Sequence, residues 1–377
     1  MTTAKRYPVI PDPSILQAAE ASGVLEHQQA FDVPYRRFVD AYRIIPRGTV
    51  LLPEGIMPGY PKIGRIVSLR GLARSFDGPF HVEEKIDGYN VRIVRSGGRY
   101  LAFTRSGLVC PFTTDRLPDL IAPSILEAVF TAHPDAIICA EVAGAANPYI
   151  DSHSARVPED IALFAFDVMA LDREHFWPME ERNRLFLEYG IPAVPMFGTY
   201  RATDLEPLRD IVRRLDEEGG EGIIAKHPNA PVRVKYVTPS INVDDVRAEA
   251  PLELELPPEY YVSRIVRMAI ALRELGLEQK RPELAAKLGH WLLSGFDRAL
   301  DELERSGAVA KTFKCRVREE TTIDRLIQHL NASSRTVQVK ELTRRKENGW
   351  WVVEFRKEFL RSTSILTSLL GGKVVFD

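Results

Sequence analysis

A chain of 377 residues is too long for one typical core and predicts two or three domains. With 45% hydrophobic and 27% charged residues and a formal net charge of −2, it reads as a soluble globular protein and not as a simple nucleic-acid coat protein. Apolar runs stop short of the ~20 residues that span a bilayer, and Met1 to Pro11 hold no signal-peptide core, so a cytoplasmic protein without a membrane partner is expected. Cys110, Cys139 and Cys315 lie far apart and form no CxxC, which favours buried or incidental thiols over a zinc site or a disulfide framework. The eight histidines form no HxxxH or HxH pair, but carboxylates can still recruit Mg²⁺ (or Mn²⁺) alongside phosphates.

In chain order, Asp12 to Gln29 predicts a helix capped by Asp12 or Ser14, with Ile15, Ala18 or Ala19, and Leu25 as its apolar stripe. Ile44 to Gly64, punctuated by Pro and Gly, predicts small strands and turns that complete an N-terminal module over residues 1–65. Residues 66–247 mix strand-like runs (Phe80 to Glu84, Val91 to Val94, Ala136 to Ala140, Ala162 to Phe166, Gly222 to Ala225) with helices at Ser124 to His133, Glu180 to Tyr189 and Asp204 to Glu218. Without a regular βαβ alternation, this predicts an α+β domain built on antiparallel sheets.

Ala248 to Pro258 is acidic and reads as a linker. Two long helices follow at Glu259 to Leu275 and Pro282 to Arg305, within residues 248–307. Ile265, Val266, Met268, Ala269, Ile270, Leu272 and Leu275 make the first helix apolar on more than one face, so it packs on two sides, within its own core or against a second chain. Residues 308–377 alternate strand, helix and strand in a small α+β domain, with Trp350 to Phe355 its clearest strand. Arg344, Arg345, Lys346, Arg356, Lys357 and Arg361 near Trp350 and Trp351 suit a track for single-stranded nucleic acid; equally, they suit core tryptophans under a solvated charged face.

The most informative tetrapeptide is Lys85-Ile86-Asp87-Gly88, directly after a predicted strand. There a lysine amine can be presented to a triphosphate, and burial or neighbouring cations would depress its pKa towards neutrality and make it nucleophilic. Alone the pattern also fits a surface turn. Downstream, in order, stand Thr104-Arg105-Ser106-Gly107, Ala140-Glu141-Val142-Ala143-Gly144, Phe164-Ala165-Phe166-Asp167-Val168, Glu221-Gly222-Ile223-Ile224-Ala225-Lys226 and Val232-Arg233-Val234-Lys235-Tyr236-Val237.

This ordered series, from Lys85 to Val237, resembles the motifs of the covalent nucleotidyltransferases: DNA ligases, RNA ligases and capping enzymes. The resemblance implies an ATP-grasp-like nucleotidyltransferase domain in which Lys85 attacks the α-phosphate of ATP to form lysyl–AMP. It implies further that Arg105 contacts ribose or phosphate, Glu141 the ribose hydroxyls, and Phe166 the adenine face. Glu221 and Asp167 would join the divalent-metal network, and Lys226 and Lys235 would neutralise the α-phosphate. Plainer alternatives stand beside these: Arg105 and Glu141 as surface ions or a structural pair, Phe166 as core, Lys226 as a solvated strand end. The last motif usually has two lysines flanking one residue, so either Arg233 replaces one or Val237 occupies the second position.

After Val237 the predicted helices and mixed segment do not suit the five-stranded barrel that DNA ligases and capping enzymes usually append. Together with the N-terminal module they resemble the archaeal-type homodimeric RNA ligases. That resemblance implies sealing or circularisation of single-stranded RNA with 5′-phosphate and 3′-hydroxyl ends, and a homodimer paired through residues 248–307. A DNA ligase, a capping-type guanylyltransferase and a non-catalytic nucleic-acid-binding protein are the competing readings.

Overall fold

The computed structural model describes residues 12–150, 156–173, 175–249 and 258–374, so Met1 to Pro11 and most of the predicted linker lie outside the described residues. Helix α1 (Pro13–Ala21) starts where expected, with the Asp12 carboxylate accepting from Ser14 N at 2.8 Å and proline at the first position. It ends eight residues before Gln29. Gly23 takes a left-handed φ of 71° and turns the chain into strand β1 (Leu25–Ala30). Leu25 is therefore buried as a strand residue opposite Phe38, not as part of a helical stripe. Strands β2 (Val33–Phe38), β3 (Val50–Leu52) and β4 (Gly55–Met57) complete a four-stranded N-terminal sheet.

The next stretch runs β5 (Gly64–Arg65), α2 (Leu72–Ser75), β6 (Phe80–Lys85), β7 (Tyr89–Ser96), β8 (Arg99–Thr104), α3 (Pro111–Leu120), α4 (Pro123–Ala132), β9 (Ala136–Ala143) and β10 (Ala162–Ala170). It continues with α5 (Met179–Tyr189), β11 (Met196–Tyr200), α6 (Leu205–Glu217), β12 (Gly222–Lys226), β13 (Arg233–Val237) and α7 (Pro239–Glu249). These strands form a four-stranded sheet in the order β10-β9-β7-β8 and a five-stranded sheet in the order β11-β6-β12-β13-β5. Pairing is antiparallel except between β13 and the two-residue edge strand β5. The α+β class with antiparallel sheets holds. The turn Ile86–Gly88 carries the chain from β6 in one sheet to β7 in the other, so the predicted lysine sits where the two sheets diverge.

Helices α8 (Pro258–Glu274) and α9 (Arg281–Ser306) follow. Met268, Ala271, Leu272 and Leu275 join the core beneath the five-stranded sheet, with Tyr236, Val243 and Leu208. The Glu274 carboxylate pins the helix there, accepting from Ser68 Oγ at 2.7 Å, Leu69 N at 3.0 Å and Tyr236 Oη at 3.1 Å. The other face of α8 carries Val262, Ile265, Val266 and Ile270, all exposed.

Strand β14 (Ala310–Val317), α10 (Glu320–Ser333), β15 (Val337–Glu347), β16 (Trp350–Phe359) and α11 (Leu360–Leu370) end the chain, the strands pairing in the order β14-β16-β15. Their core is continuous with that of the four-stranded sheet: Val317, Ile323 and Phe355 belong to one cluster with Phe112, Leu117 and Val129. A polar seam reinforces it. Buried Arg116 meets Asp160 at 2.9 Å and stacks 4.5 Å from Trp350, whose ring also lies 4.7 Å from Arg316. The basic cluster here is internally compensated: Arg344 pairs with Asp324 and Glu341, Arg345 with Glu347, and Arg356 with Glu302. This favours packed tryptophans under a compensated charged face over an open nucleic-acid track. All three cysteines are buried and free, and no helix among the described residues is long and apolar enough to cross a membrane.

Candidate active site between the two sheets

Lys85 ends β6, and its register partner on β12 is Gly222, so Glu221 stands beside it. The Lys85 ammonium donates to the Glu221 carboxylate, and both side chains are mostly buried. Two motif glycines permit this approach. A Cβ on Gly88 would lie 2.4 Å from Val142 O, and one on Gly222, at φ 148°, would lie 2.1 Å from Tyr236 O. Glu141 on β9 is the register partner of Asn90 on β7. Arg105, just past β8, donates to Pro61 O at 3.2 Å.

Lys85, Asn90, Arg105, Glu141, Phe166, Lys226, Arg233 and Lys235 all line one cleft. Eight residues separated by up to 150 positions thus converge on one space. Glu221 lines the adjoining hollow with Lys85 and Asp87, so Lys85 faces both.

The floor of the cleft is an ion-pair network. Asp167, Glu83, Lys226 and Arg182 are each nearly fully buried. Lys226 Nζ lies 2.7 Å from Glu83 and 3.3 Å from Asp167 and donates to Phe166 O at 2.6 Å. Arg233 grips Asp167 with two bonds of 3.1 and 2.9 Å, and Tyr60 Oη donates to it at 2.8 Å. Arg182 pairs with Glu83 at 2.5 Å. Phe166 is 9% exposed, with the Lys226 ammonium 5.2 Å from its centroid and Tyr60 edge-on at 5.7 Å.

This geometry redistributes the expected roles. Both Asp167 oxygens are held by Arg233 and Tyr60, which does not suit it to bind a metal; its place is that of a buried counter-charge. Lys226 is committed to three acceptors, whereas the Lys235 ammonium makes no hydrogen bond or ion pair among the described residues. Arg233, not Val237, shares the cleft with Lys235, and its charge is spent on Asp167. No group of three or more His, Cys, Asp or Glu that could hold a metal occurs among the described residues. A divalent cation would therefore rest on Glu221 together with substrate phosphates, as Mg²⁺ commonly does.

Electrostatics also corrects one expectation. Burial would lower the Lys85 pKa, but Glu221 and Glu141 outweigh it and hold the ammonium above the ordinary lysine value. Two other lysines of the cleft are depressed: Lys226 by burial, and Lys235, brought down to about 8 by burial and by Arg65 and Lys85. Burial raises Glu141 to about 8, against the pull of Lys85, and burial with Glu221 raises Asp87 to about 7. Asp167 stays at about 2, because Lys226 and Arg233 overcome the burial that would raise it.

Tyr60, Glu83 and Arg182 escaped the sequence reading. Two consecutive glutamates after Phe80 and Val82 in β6 were the available signal for Glu83, since a carboxylate inside a central strand needs buried cations.

The RNA ligase family profile matches residues 78–237, and that for the C-terminal region of the ligase Pab1020 matches residues 249–373. A structure from Aquifex aeolicus, described as a proposed ATP-dependent DNA ligase, is 40% identical over 97% of this chain and 100% of its own, with a TM-score of 0.90. The chain belongs to the RNA ligase family. Within that family it is of the archaeal type: two structures of an archaeal ATP-dependent RNA ligase, forms 1 and 2, are each 26% identical over 96% of both chains, with TM-scores of 0.85 and 0.86. An uncharacterised protein of Methanocaldococcus jannaschii is 25% identical over 339 residues, 87% of this chain and 84% of its own.

Proposed function

We propose that this RNA ligase family member is an ATP-dependent enzyme, cytoplasmic and homodimeric, that joins or circularises single-stranded RNA bearing 5′-phosphate and 3′-hydroxyl ends. The observation that carries it is the placement of Lys85 against Glu221 in a cleft that Arg105, Glu141, Phe166 and Lys235 also line.

In the first step Lys85 Nζ forms a bond to the α-phosphorus of ATP. The α-phosphorus–oxygen bond to the β-phosphate breaks and its electron pair leaves with pyrophosphate; the ammonium releases one proton to solvent before attack, and the bonded nitrogen releases a second to solvent to leave the phosphoramidate. AMP then passes to the RNA 5′-phosphate, and the 3′-hydroxyl displaces AMP to form the phosphodiester. Each step is an in-line displacement, so positioning and charge neutralisation supply most of the catalysis. Phe166 offers the base an aromatic wall, Arg105 and Glu141 face the ribose, and Lys235 is the cation available to the α-phosphate. A Mg²⁺ or Mn²⁺ ion on Glu221 would offset phosphate charge.

A 5′-phosphorylated single-stranded RNA incubated with enzyme, ATP and Mg²⁺ should yield joined or circular, phosphatase-resistant product. Absence of sealing by folded enzyme would refute the proposal. The description of the Aquifex relative favours a second reading, DNA joining, so a DNA strand of the same sequence belongs in the assay; preference for DNA would select that reading. A capping-type enzyme fits less well, because α7, α8 and α9 and a three-stranded sheet follow β13 where a barrel would stand. The convergence of Lys85, Glu221 and Lys235 counts against a non-catalytic binding protein.

Because Lys85 is held as an ammonium, single-turnover adenylylation should accelerate between pH 6 and 9, by up to about tenfold per unit while deprotonation limits the rate. Glu221→Gln removes the carboxylate that raises the lysine, so its profile should shift to lower pH while its maximum rate falls. A flat wild-type profile would contradict this assignment of the proton.

The exposed stripe Val262, Ile265, Val266 and Ile270 follows helical spacing and suits pairing with the same helix of a second copy. Val266→Glu with Ile270→Glu should convert a dimer to monomer in sedimentation velocity. A wild-type protein that sediments as a monomer at micromolar concentration would overturn the dimer.

A further inference from the structure

The helical segment contributes charge as well as apolar surface. Lys235 on β13 and Arg65 on β5 are register partners in the only parallel pair of the five-stranded sheet, so they leave it side by side. At this edge α8 brings up Arg264 and Arg267. Arg264 pairs with Asp245 at 2.9 Å, with its guanidinium 3.2 Å from the Tyr260 ring centroid. Arg267 donates from Nε to Asn242 Oδ1 at 3.0 Å, and Asn242 is fixed in turn by its bond to Thr238 O at 2.8 Å. The second terminal nitrogen of Arg267 is buried without a hydrogen-bond partner.

Glu221 is taken by Lys85 and Asp245 by Arg264, while Lys235 and Arg65 make no ion pair or hydrogen bond to carboxylates among the described residues. Burial and then the nearby charge of Arg65 depress both Lys235, to about 8, and Arg267, to about 10. A line of cations thus runs from Lys235, beside the nucleophile, outward to α8. Glu274 anchors the far end of that helix to the same sheet, so the arginines are held at a fixed distance from the cleft. The exposed guanidinium of Arg65, beside Lys235, and the unpartnered nitrogen of Arg267 suit a polyanion. In-line attack by Lys85 requires the leaving group to exit away from Nζ, along a path that such cations would neutralise.

We propose that Arg65 and Arg267 bind the β- and γ-phosphates of the nucleotide, so that α8 completes the adenylylation site of its own chain. Given the ligase reading above, this separates pyrophosphate chemistry from RNA sealing. The test compares full-length wild type with Arg65→Gln, Arg267→Gln and Arg65→Lys in two reactions: pyrophosphate–ATP exchange, and sealing of pre-adenylylated RNA without ATP. The glutamine variants should raise the apparent constants for ATP and pyrophosphate at least about tenfold. Sealing of pre-adenylylated RNA should stay within about threefold of wild type, and Arg65→Lys should recover most of the exchange. Unchanged exchange overturns the proposal. So does an equal loss in both reactions, which would assign the arginines to RNA phosphates or to folding. Wild type that neither exchanges nor seals would defeat the ligase reading itself.

Discussion

Lys85→Ala is expected to lose overall RNA sealing by about 10⁴-fold or more, yet to keep at least about a tenth of the sealing of pre-adenylylated RNA. The division follows from what the side chain does. Forming lysyl–AMP needs an amine at the α-phosphate, and Lys85 is the lysine that faces both the cleft and the adjoining hollow. Joining an RNA that already carries AMP needs instead the adenylate pocket and the phosphate-facing cations, which Lys85→Ala leaves in place: Phe166, Glu141, Arg105 and Lys235. Loss of one Lys85–Glu221 ion pair at the cleft mouth leaves the buried network below it intact, so the variant should fold. Gel analysis of the two substrates side by side gives the answer. Equal loss in both would mean that Lys85 shapes the site and does not react. Sealing of unactivated RNA at near-wild-type rate would remove it from the mechanism altogether.

Asp167→Ala is expected to destabilise the protein by about 3–5 kcal/mol, since breaking a buried ion pair strands the charges left behind. Arg233 would lose its two bonds to Asp167, Lys226 one of its two carboxylates, and Tyr60 its acceptor, all in nearly water-free surroundings. For a chain of 377 residues that corresponds to a fall in melting temperature of roughly 4–6 °C. The Asp167 carboxyl sits at about 2, below its unfolded value. Its contribution is therefore fully present above the usual aspartate range near pH 4 and is lost as pH falls towards 2. Wild type and variant should accordingly differ most at neutral pH and converge under acid. A variant that melts within a degree or two of wild type at pH 7 would show that the network carries little, and would reopen Asp167 to a role at the metal.

Much of the site was legible because its chemistry depends on residue type in a fixed order, and sheets convert that order into proximity. Lys85 and Glu221 are 136 positions apart but become neighbours through a single antiparallel pairing. What stayed hidden was which charges are spent on one another. A Lys or Asp in a motif looks the same whether it faces substrate, as Lys235 does, or is locked into a buried pair, as Lys226 and Asp167 are. The direction of the Lys85 shift was hidden likewise, because two glutamates distant in sequence outweigh local burial. Among the secondary elements, α3 escaped detection because Pro118 and two threonines blur its periodicity; its start is set by Pro111 and the Cys110 cap. The overextended first helix shows the reverse error, in which apolar spacing was followed through Gly23, where a left-handed turn stops it.

The most direct test of the lysyl–AMP claim is the intact mass of the protein after incubation with ATP and a divalent cation, followed by peptide mapping. The mechanism predicts the gain of one adenylyl group, acid-labile as a phosphoramidate, confined to the peptide containing Lys85 and reversed by added pyrophosphate. A folded protein that gains no adenylyl group, or carries it on another residue, would contradict the role assigned to Lys85.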